Sequence, residues 1–224
     1  MLKYIQNELF QGIEETKFLR MMECSHAKKK VFDANAYIFS QENRPQYLYI
    51  LNTGKVHLLK TFPSGKQNIL YQVHEKEVFG ENFFFAANSI YGYDAIAVEK
   101  AEVLMIPYSF IYSPCSKICE HHKRMIYNLL NIQSKNNLKM LTKINIVSNT
   151  TIKQKIALWL FDIMEHQTGK TIPMTREELA DYLGVTRPSL SRTLMEMQKE
   201  GWIKIQGKKI SMIDVEKLES LFDD

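Results

Sequence analysis

The sequence predicts an α+β chain: an N-terminal antiparallel β-barrel or jelly roll, a long helix, and a C-terminal helical domain that ends in a strand hairpin. Three observations predict it. Short β-rich segments alternate with turns from Val31 to Ile106, a stretch without internal Gly or Pro runs from about Pro114 to Asn145, and two capped helix starts flank a glycine between Thr175 and Arg192. At 224 residues the chain exceeds one typical domain, and 45% hydrophobic with 24% charged residues is ordinary for a folded soluble protein. The expected domains are residues 1–111, 112–146 and 147–224.

The β segments are Tyr37–Phe39, Tyr47–Leu51, Lys55–Lys60, Gln67–Val73, Ala95–Val98 and Glu102–Ile106, with turn signals at Asn52-Thr53-Gly54 and Pro63-Ser64-Gly65. That spacing suits a barrel or jelly roll. Residues 1–24 read as a short helical lead-in, and the only helical interruption is expected around Phe83 to Ala87. In the long helix, Ile118, His122, Met125, Leu129, Ile132 and Asn136 recur at spacings of 4, 3, 4, 3 and 4. This is the seam of a two-helix coiled coil, so a homodimer is expected. The competing reading packs the stripe on the chain's own β-domain. His122 on this stripe reads as a packed or hydrogen-bonded polar position rather than a metal ligand.

Thr175 and Glu178 have capping-box spacing, and Leu179, Ala180 and Leu183 share one face of the helix that follows. Gly184 permits a sharp turn, Thr186 caps a second helix, and Pro188 falls in its first turn, where a missing amide proton costs little. Leu190, Leu194 and Met197 point that helix inward, leaving Arg187, Ser189 and Arg192 outside near the end that enters a major groove. Helix pairs with a glycine turn also occur in ordinary bundles. The stretch Gly201 to Ile213 adds two short strands joined at Gln206-Gly207, with Lys208 and Lys209 at the tip, which makes this a winged helix-turn-helix.

Net charge is only +4, so distribution matters more than total. Residues 1–111 carry 12 basic and 12 acidic side chains, 112–145 carry 6 and 1, and 146–224 carry 11 and 12. DNA binding must then use one face, built from Arg176, Arg187, Arg192, Lys208 and Lys209, with the acidic tail from Asp214 to Asp224 elsewhere. Lys28, Lys29 and Lys30 read as a solvated turn. No run of about 18 apolar residues predicts a membrane span, and the N-terminus lacks a secretory signal, so a cytoplasmic protein is expected. Cys24, Cys115 and Cys119 fit neither a disulfide framework nor a zinc site. With no nucleophile–base pair, metal triad or phosphate-cradling glycine loop, an enzyme is not expected.

The order of parts, with Asn52-Thr53-Gly54-Lys55-Val56, Ser64-Gly65-Lys66, Phe79-Gly80-Glu81 and the Thr175–Arg192 unit with its Gly201 wing, resembles the Crp/Fnr family of bacterial transcription regulators across nearly the whole chain. The resemblance implies a cyclic-nucleotide-binding-like β-domain, a dimerisation helix, double-stranded DNA and RNA polymerase as partners, and a small-molecule effector. Its effector pocket would be Gly80, Glu81, Tyr91, Tyr93, Asn136 and Asn137. Tyr91-Gly92 stands where cyclic-AMP-binding members carry an arginine for the phosphate, and no Arg lies between Arg44 and Arg124. Cyclic AMP is therefore not expected, and Lys76 replaces a glycine of the family's turns. Iron–sulfur members group several cysteines before the barrel, where this chain has only Cys24.

The pocket region is instead aromatic, with Phe83, Phe84, Phe85, Tyr91 and Tyr93. An apolar or aromatic ligand or haem would suit such walls, and so would a collapsed pocket filled by the rings. The cofactor is unknown. A haem- or thiol-based redox or gas sensor is the alternative, with His26, His57, His74, His122, Cys115 and Cys119 as its groups. On the recognition helix, Pro188 replaces a glutamate common in relatives. Arg192 is then the expected guanine reader, Arg187 contacts guanine or phosphate, and Ser189 and Ser191 are adaptable. Thr175, Arg176 and Lys208 position the backbone.

Overall fold

In the computed structural model, which describes residues 1–83, 90–112, 120–166, 175–207 and 209–223, the chain separates into two units, 1–135 and 136–224. The first unit holds β1 (Lys28–Phe32), β2 (Tyr37–Phe39), β3 (Tyr47–Thr53), β4 (Val56–Thr61), β5 (Gln67–Val73), β6 (Val78–Phe79), β7 (Asp94–Ala97) and β8 (Ala101–Pro107). They pair antiparallel in two four-stranded sheets, ordered β1-β8-β3-β6 and β2-β7-β4-β5. Among the described residues no ladder joins the sheets, so of the expected barrel or jelly roll the chain forms the two-sheet jelly roll. The terminal strands β2 and β6 are only three and two residues long, too short to carry the pairing around.

Period-two alternation buries Phe32, Leu51, Val56, Leu58, Val73, Ala95 and Val103 in one cluster with Phe39, Tyr49, Phe79 and Tyr91. Gly54 turns β3 into β4 at φ +94°, and a Cβ there would lie 2.5 Å from the Lys100 carbonyl oxygen. Lys28, Lys29 and Lys30 are not a turn. They form most of β1, an exposed edge strand that among the described residues pairs only with β8, with Lys29 3.9 Å from Glu102 and the Lys30 ammonium 4.6 Å from the Phe32 ring centroid. At the other sheet's edge, β5 exposes Ile69, Leu70 and Tyr71.

A second cluster corrects the coiled-coil seam. Two 3-10 turns (Leu2–Gln6 and Glu8–Phe10) and α1 (Glu15–Ser25) precede the sheets; α2 (Tyr108–Tyr112) and α3 (Glu120–Ser148) follow them. Tyr4, Leu9, Phe10, Phe18, Met21 and Met22 from the lead-in close over His122, Met125, Leu129 and Ile132 of α3, and Met125 is 0% exposed. A side chain buried in its own protomer cannot face a second copy. Asn128 locks this cover, its side-chain amide donating to the carbonyls of Leu9 at 3.0 Å and Gln11 at 2.9 Å. Ile118, the first residue of the predicted seam, lies outside the described residues. Tyr127, Leu130, Leu138 and Leu141 on the opposite side of α3 are exposed, and Ile144 on its flank is exposed too.

The second unit contains α4 (Ile152–His166), α5 (Arg176–Leu183), α6 (Arg187–Lys199), the hairpin of β9 (Ile203–Gln206) and β10 (Lys209–Met212), and α7 (Val215–Glu219). Ile146, Ile156, Trp159, Leu160 and Ile163 pack with Leu179, Leu183, Leu190, Leu194, Met197, Ile203 and Ile210. Each such side chain contributes about 1.5–3 kcal/mol when fully buried.

Candidate nucleic-acid interface and sensor pocket

The start of α5 is a complete capping box. The Thr175 backbone amide donates to Glu178 Oε2 at 2.7 Å, and the Glu178 amide donates to Thr175 Oγ1 at 3.2 Å. Gly184 ends the helix in the left-handed region at φ +64°, and the Val185 amide returns to the Ala180 carbonyl at 3.0 Å. Thr186 then caps α6, accepting from the Ser189 amide at 3.4 Å and donating its hydroxyl to Ser189 Oγ at 2.8 Å. Leu190, Leu194 and Met197 are buried as the spacing predicts, while Arg187 and Arg192 are exposed and Ser189 and Ser191 are half-buried. The first turns of α6 thus present two cations at the positive end of a helix dipole, a surface that attracts phosphate oxygens.

Arg176 is half-buried at the head of α5, and that burial draws its guanidinium below its usual range. In the hairpin, Gly207 turns at φ +62° and Lys209 is exposed; Lys208 lies outside the described residues. The Lys153 ammonium sits 4.7 Å from the Trp202 ring centroid and 3.1 Å from Glu200, bracing the hairpin's base against α4.

In the first unit the structure gathers Gly80, Glu81, Tyr91 and Tyr93. Gly80 has φ +84°, and a Cβ would approach Tyr49 Cδ2 to 2.9 Å. Its carbonyl accepts from the Tyr108 hydroxyl, and the carbonyl of buried Glu81 accepts from Gln133 of α3 at 3.0 Å. Tyr91 is core rather than pocket wall. It is 2% exposed, stacks on Phe39 with centroids 3.8 Å apart, and takes Phe83 edge-on at 5.2 Å. An aromatic ring has no counter-charge to satisfy, so it fills the sheet interior. Tyr93 also touches Phe83, and its buried hydroxyl has no hydrogen-bond partner among the described residues. Burial, reinforced by the Glu81 charge, pushes that phenol up, and the Asn82 side chain opposes this without reaching hydrogen-bond geometry.

Asn136 and Asn137 belong to the second unit, the first partly buried and the second exposed. Phe84, Phe85, Cys115 and Cys119 lie outside the described residues. Lys60 of β4 is a cation that sequence distance concealed: its ammonium donates to the Gly92 carbonyl at 2.9 Å, beside Tyr91. Buried Asp94 was equally hidden, and it accepts from Ser40, from the Gln41 amide and from Thr61 at 3.1, 2.8 and 2.6 Å. Among the described residues, no group of three His, Cys, Asp or Glu side chains is placed to hold a metal, and no helix is long and apolar enough to cross a membrane.

Comparison with known proteins matches the cyclic nucleotide-binding domain over residues 29–117 and the Crp-like helix-turn-helix domain over residues 154–221. The CRP-like cAMP-activated global transcriptional regulator of Mycobacterium tuberculosis is 24% identical, the match covering 94% of each chain. A putative HTH-type transcriptional regulator of Porphyra purpurea, ycf28, is 28% identical over 88% of this chain and 82% of its own. Among solved structures, the global regulator CLP of Xanthomonas campestris superposes with a TM-score of 0.60 at 18% identity, covering 88% of this chain and 99% of that one. These relatives are transcription regulators, and the two matched domains cover both units. The chain belongs to the Crp/Fnr family of transcription regulators.

Proposed function

We infer that the chain works as a homodimer on a palindromic operator, reading base edges with α6 and tuned by a small molecule other than cyclic AMP. The observation that carries the reading is the doubly capped α5–turn–α6 unit with Arg187 and Arg192 exposed on the first turns of α6. Arg192 makes a bidentate contact to guanine and Arg187 a guanine or phosphate contact. Ser189 and Ser191 adapt around them, while Thr175, Arg176, Thr186 and Lys208 hold the backbone.

Dimerisation uses the outer face of α3. Tyr127, Leu130, Ser134, Asn137, Leu141 and Ile144 follow one another at spacings of 3, 4, 3, 4 and 3 and are all exposed, which supports a coiled-coil seam displaced from the buried one. A two-fold dimer then matches a palindrome. For the effector, the buried Tyr93 hydroxyl, near Asn82 and Glu81, supports a polar contact, and the rings around it favour an aromatic ligand.

Fluorescence anisotropy with a selected operator and a scrambled duplex tests the base-reading role. Arg192→Ala should lose roughly 1–3 kcal/mol of discrimination per half-site, whereas Lys208→Ala should weaken both duplexes alike. Equal loss on both duplexes for Arg192→Ala overturns base reading by that residue.

A further inference from the structure

The outward row of α6 contains an apolar residue that the DNA-reading assignment does not use. At 100° per residue, the buried Leu190, Leu194 and Met197 define the inner side of the helix, and the residues opposite are Pro188, Arg192, Met195 and Lys199, spaced 4, 3 and 4 apart. Met195 is 65% exposed. Its sulfur and terminal methyl therefore project in line with the exposed guanidinium of Arg192, one turn further along, while the Pro188 ring projects one turn before it.

We propose that Pro188 and Met195 read thymine by its C5-methyl group, on the two sides of the guanine taken by Arg192. This rests on α6 being the recognition helix. In the major groove only thymine offers an apolar edge, and its methyl is recognised by apolar contact. Proline and methionine can offer little else there: neither side chain donates a proton, so neither can satisfy the exocyclic oxygens or the ring nitrogens of guanine and adenine. Methionine is unbranched and polarisable, which lets it follow a methyl group across small shifts in docking. One helical turn advances about 5.4 Å and one base step about 3.4 Å, so the two contacts fall one to two base steps from the guanine. Lys199 at the end of the row is left to meet the phosphates where the helix leaves the groove.

The test uses the full chain. A duplex is selected from a random pool, and each thymine within two steps of a selected guanine is replaced by deoxyuracil, which removes only the methyl. Each contacted methyl should be worth about fourfold in affinity, or ~0.8 kcal/mol. In Met195→Ala the penalty on one side of the guanine should vanish, and in Pro188→Ala the penalty on the other, while the discrimination due to Arg192 persists. Selected duplexes that bind equally with thymine or uracil would overturn the proposal and leave the DNA-reading role standing. So would a uracil penalty unchanged in both variants, which would come from the duplex itself. A pool that yields no enriched sequence would overturn the DNA-reading role, and the methyl contacts with it.

Discussion

His122 carries the sharpest consequence at the residue scale. It is 1% exposed, packs on Phe110 with ring centroids 4.6 Å apart, and neither ring nitrogen has a hydrogen-bond partner among the described residues. Burial holds its imidazole below the ordinary value of 6.5, the Ile111 backbone opposing this without reaching hydrogen-bond geometry. Below pH 6.5 the unfolded chain binds a proton that the folded chain refuses. The stability His122 contributes is therefore complete above that pH and falls as pH drops toward the folded value, at most about 1.4 kcal/mol per pH unit. His122→Phe should remove this component. Urea midpoints at pH 5.5 and 7.5 check it, and an undiminished pH dependence in the variant would show that other groups carry it. The sequence marked His122 as a packed or hydrogen-bonded position on an apolar helical stripe, and the structure packs it without a hydrogen bond among the described residues. Tyr91 was less legible: the sequence marked it as a departure from the family pattern, but only the Phe39 stack shows the ring filling the interior.

At the scale of elements, α3 separates two kinds of leucine one residue apart. Leu129 is buried against the N-terminal lead-in, and Leu130 is 51% exposed on the outer stripe. Leu130→Asp should give a folded monomer with little change in melting temperature. Leu129→Asp buries a carboxylate without a partner and should destabilise by about 3 kcal/mol or more. Light scattering and thermal melts distinguish them, and a persistent Leu130→Asp dimer would move the seam elsewhere. The α5–α6 unit was legible almost residue by residue, since capping boxes, glycine turns and helical periodicity are local signals. The seam was not. A stripe of period 3.5 shows that a face of α3 is buried, and what covers it depends on Tyr4, Leu9 and Phe10, more than a hundred residues upstream. The Asn128 clamp was illegible for the same reason. The hydrogen-bond pattern that leaves two sheets in place of a closed barrel likewise depends on which short strands fail to meet.

For the whole molecule, the two units differ in kind: the second contains the Crp-like helix-turn-helix, and the first has the fold of a cyclic nucleotide-binding domain whose interior holds Tyr91 stacked on Phe39. The ammonium of Lys60 is already committed to the carbonyl of Gly92, next to Tyr91 in sequence. Calorimetric titration with cyclic AMP should thus show binding no tighter than millimolar, near −4 kcal/mol. Micromolar affinity would mean that Lys60 has left the Gly92 carbonyl for the phosphate. The two sheet edges described above also differ in a way that bears on handling the protein. The three ammonium groups of β1 repel any approaching strand, so that edge is closed to open-ended growth. The edge at β5 has no such run of lysines over Ile69 and Leu70, and the charge beside Tyr71 is the Glu77 carboxylate, which accepts from the Tyr71 hydroxyl at 2.9 Å, so an extended apolar chain meets less repulsion there. Self-assembly into insoluble ribbons, at concentrations where DNA is absent and stock solutions are kept, would begin at β5.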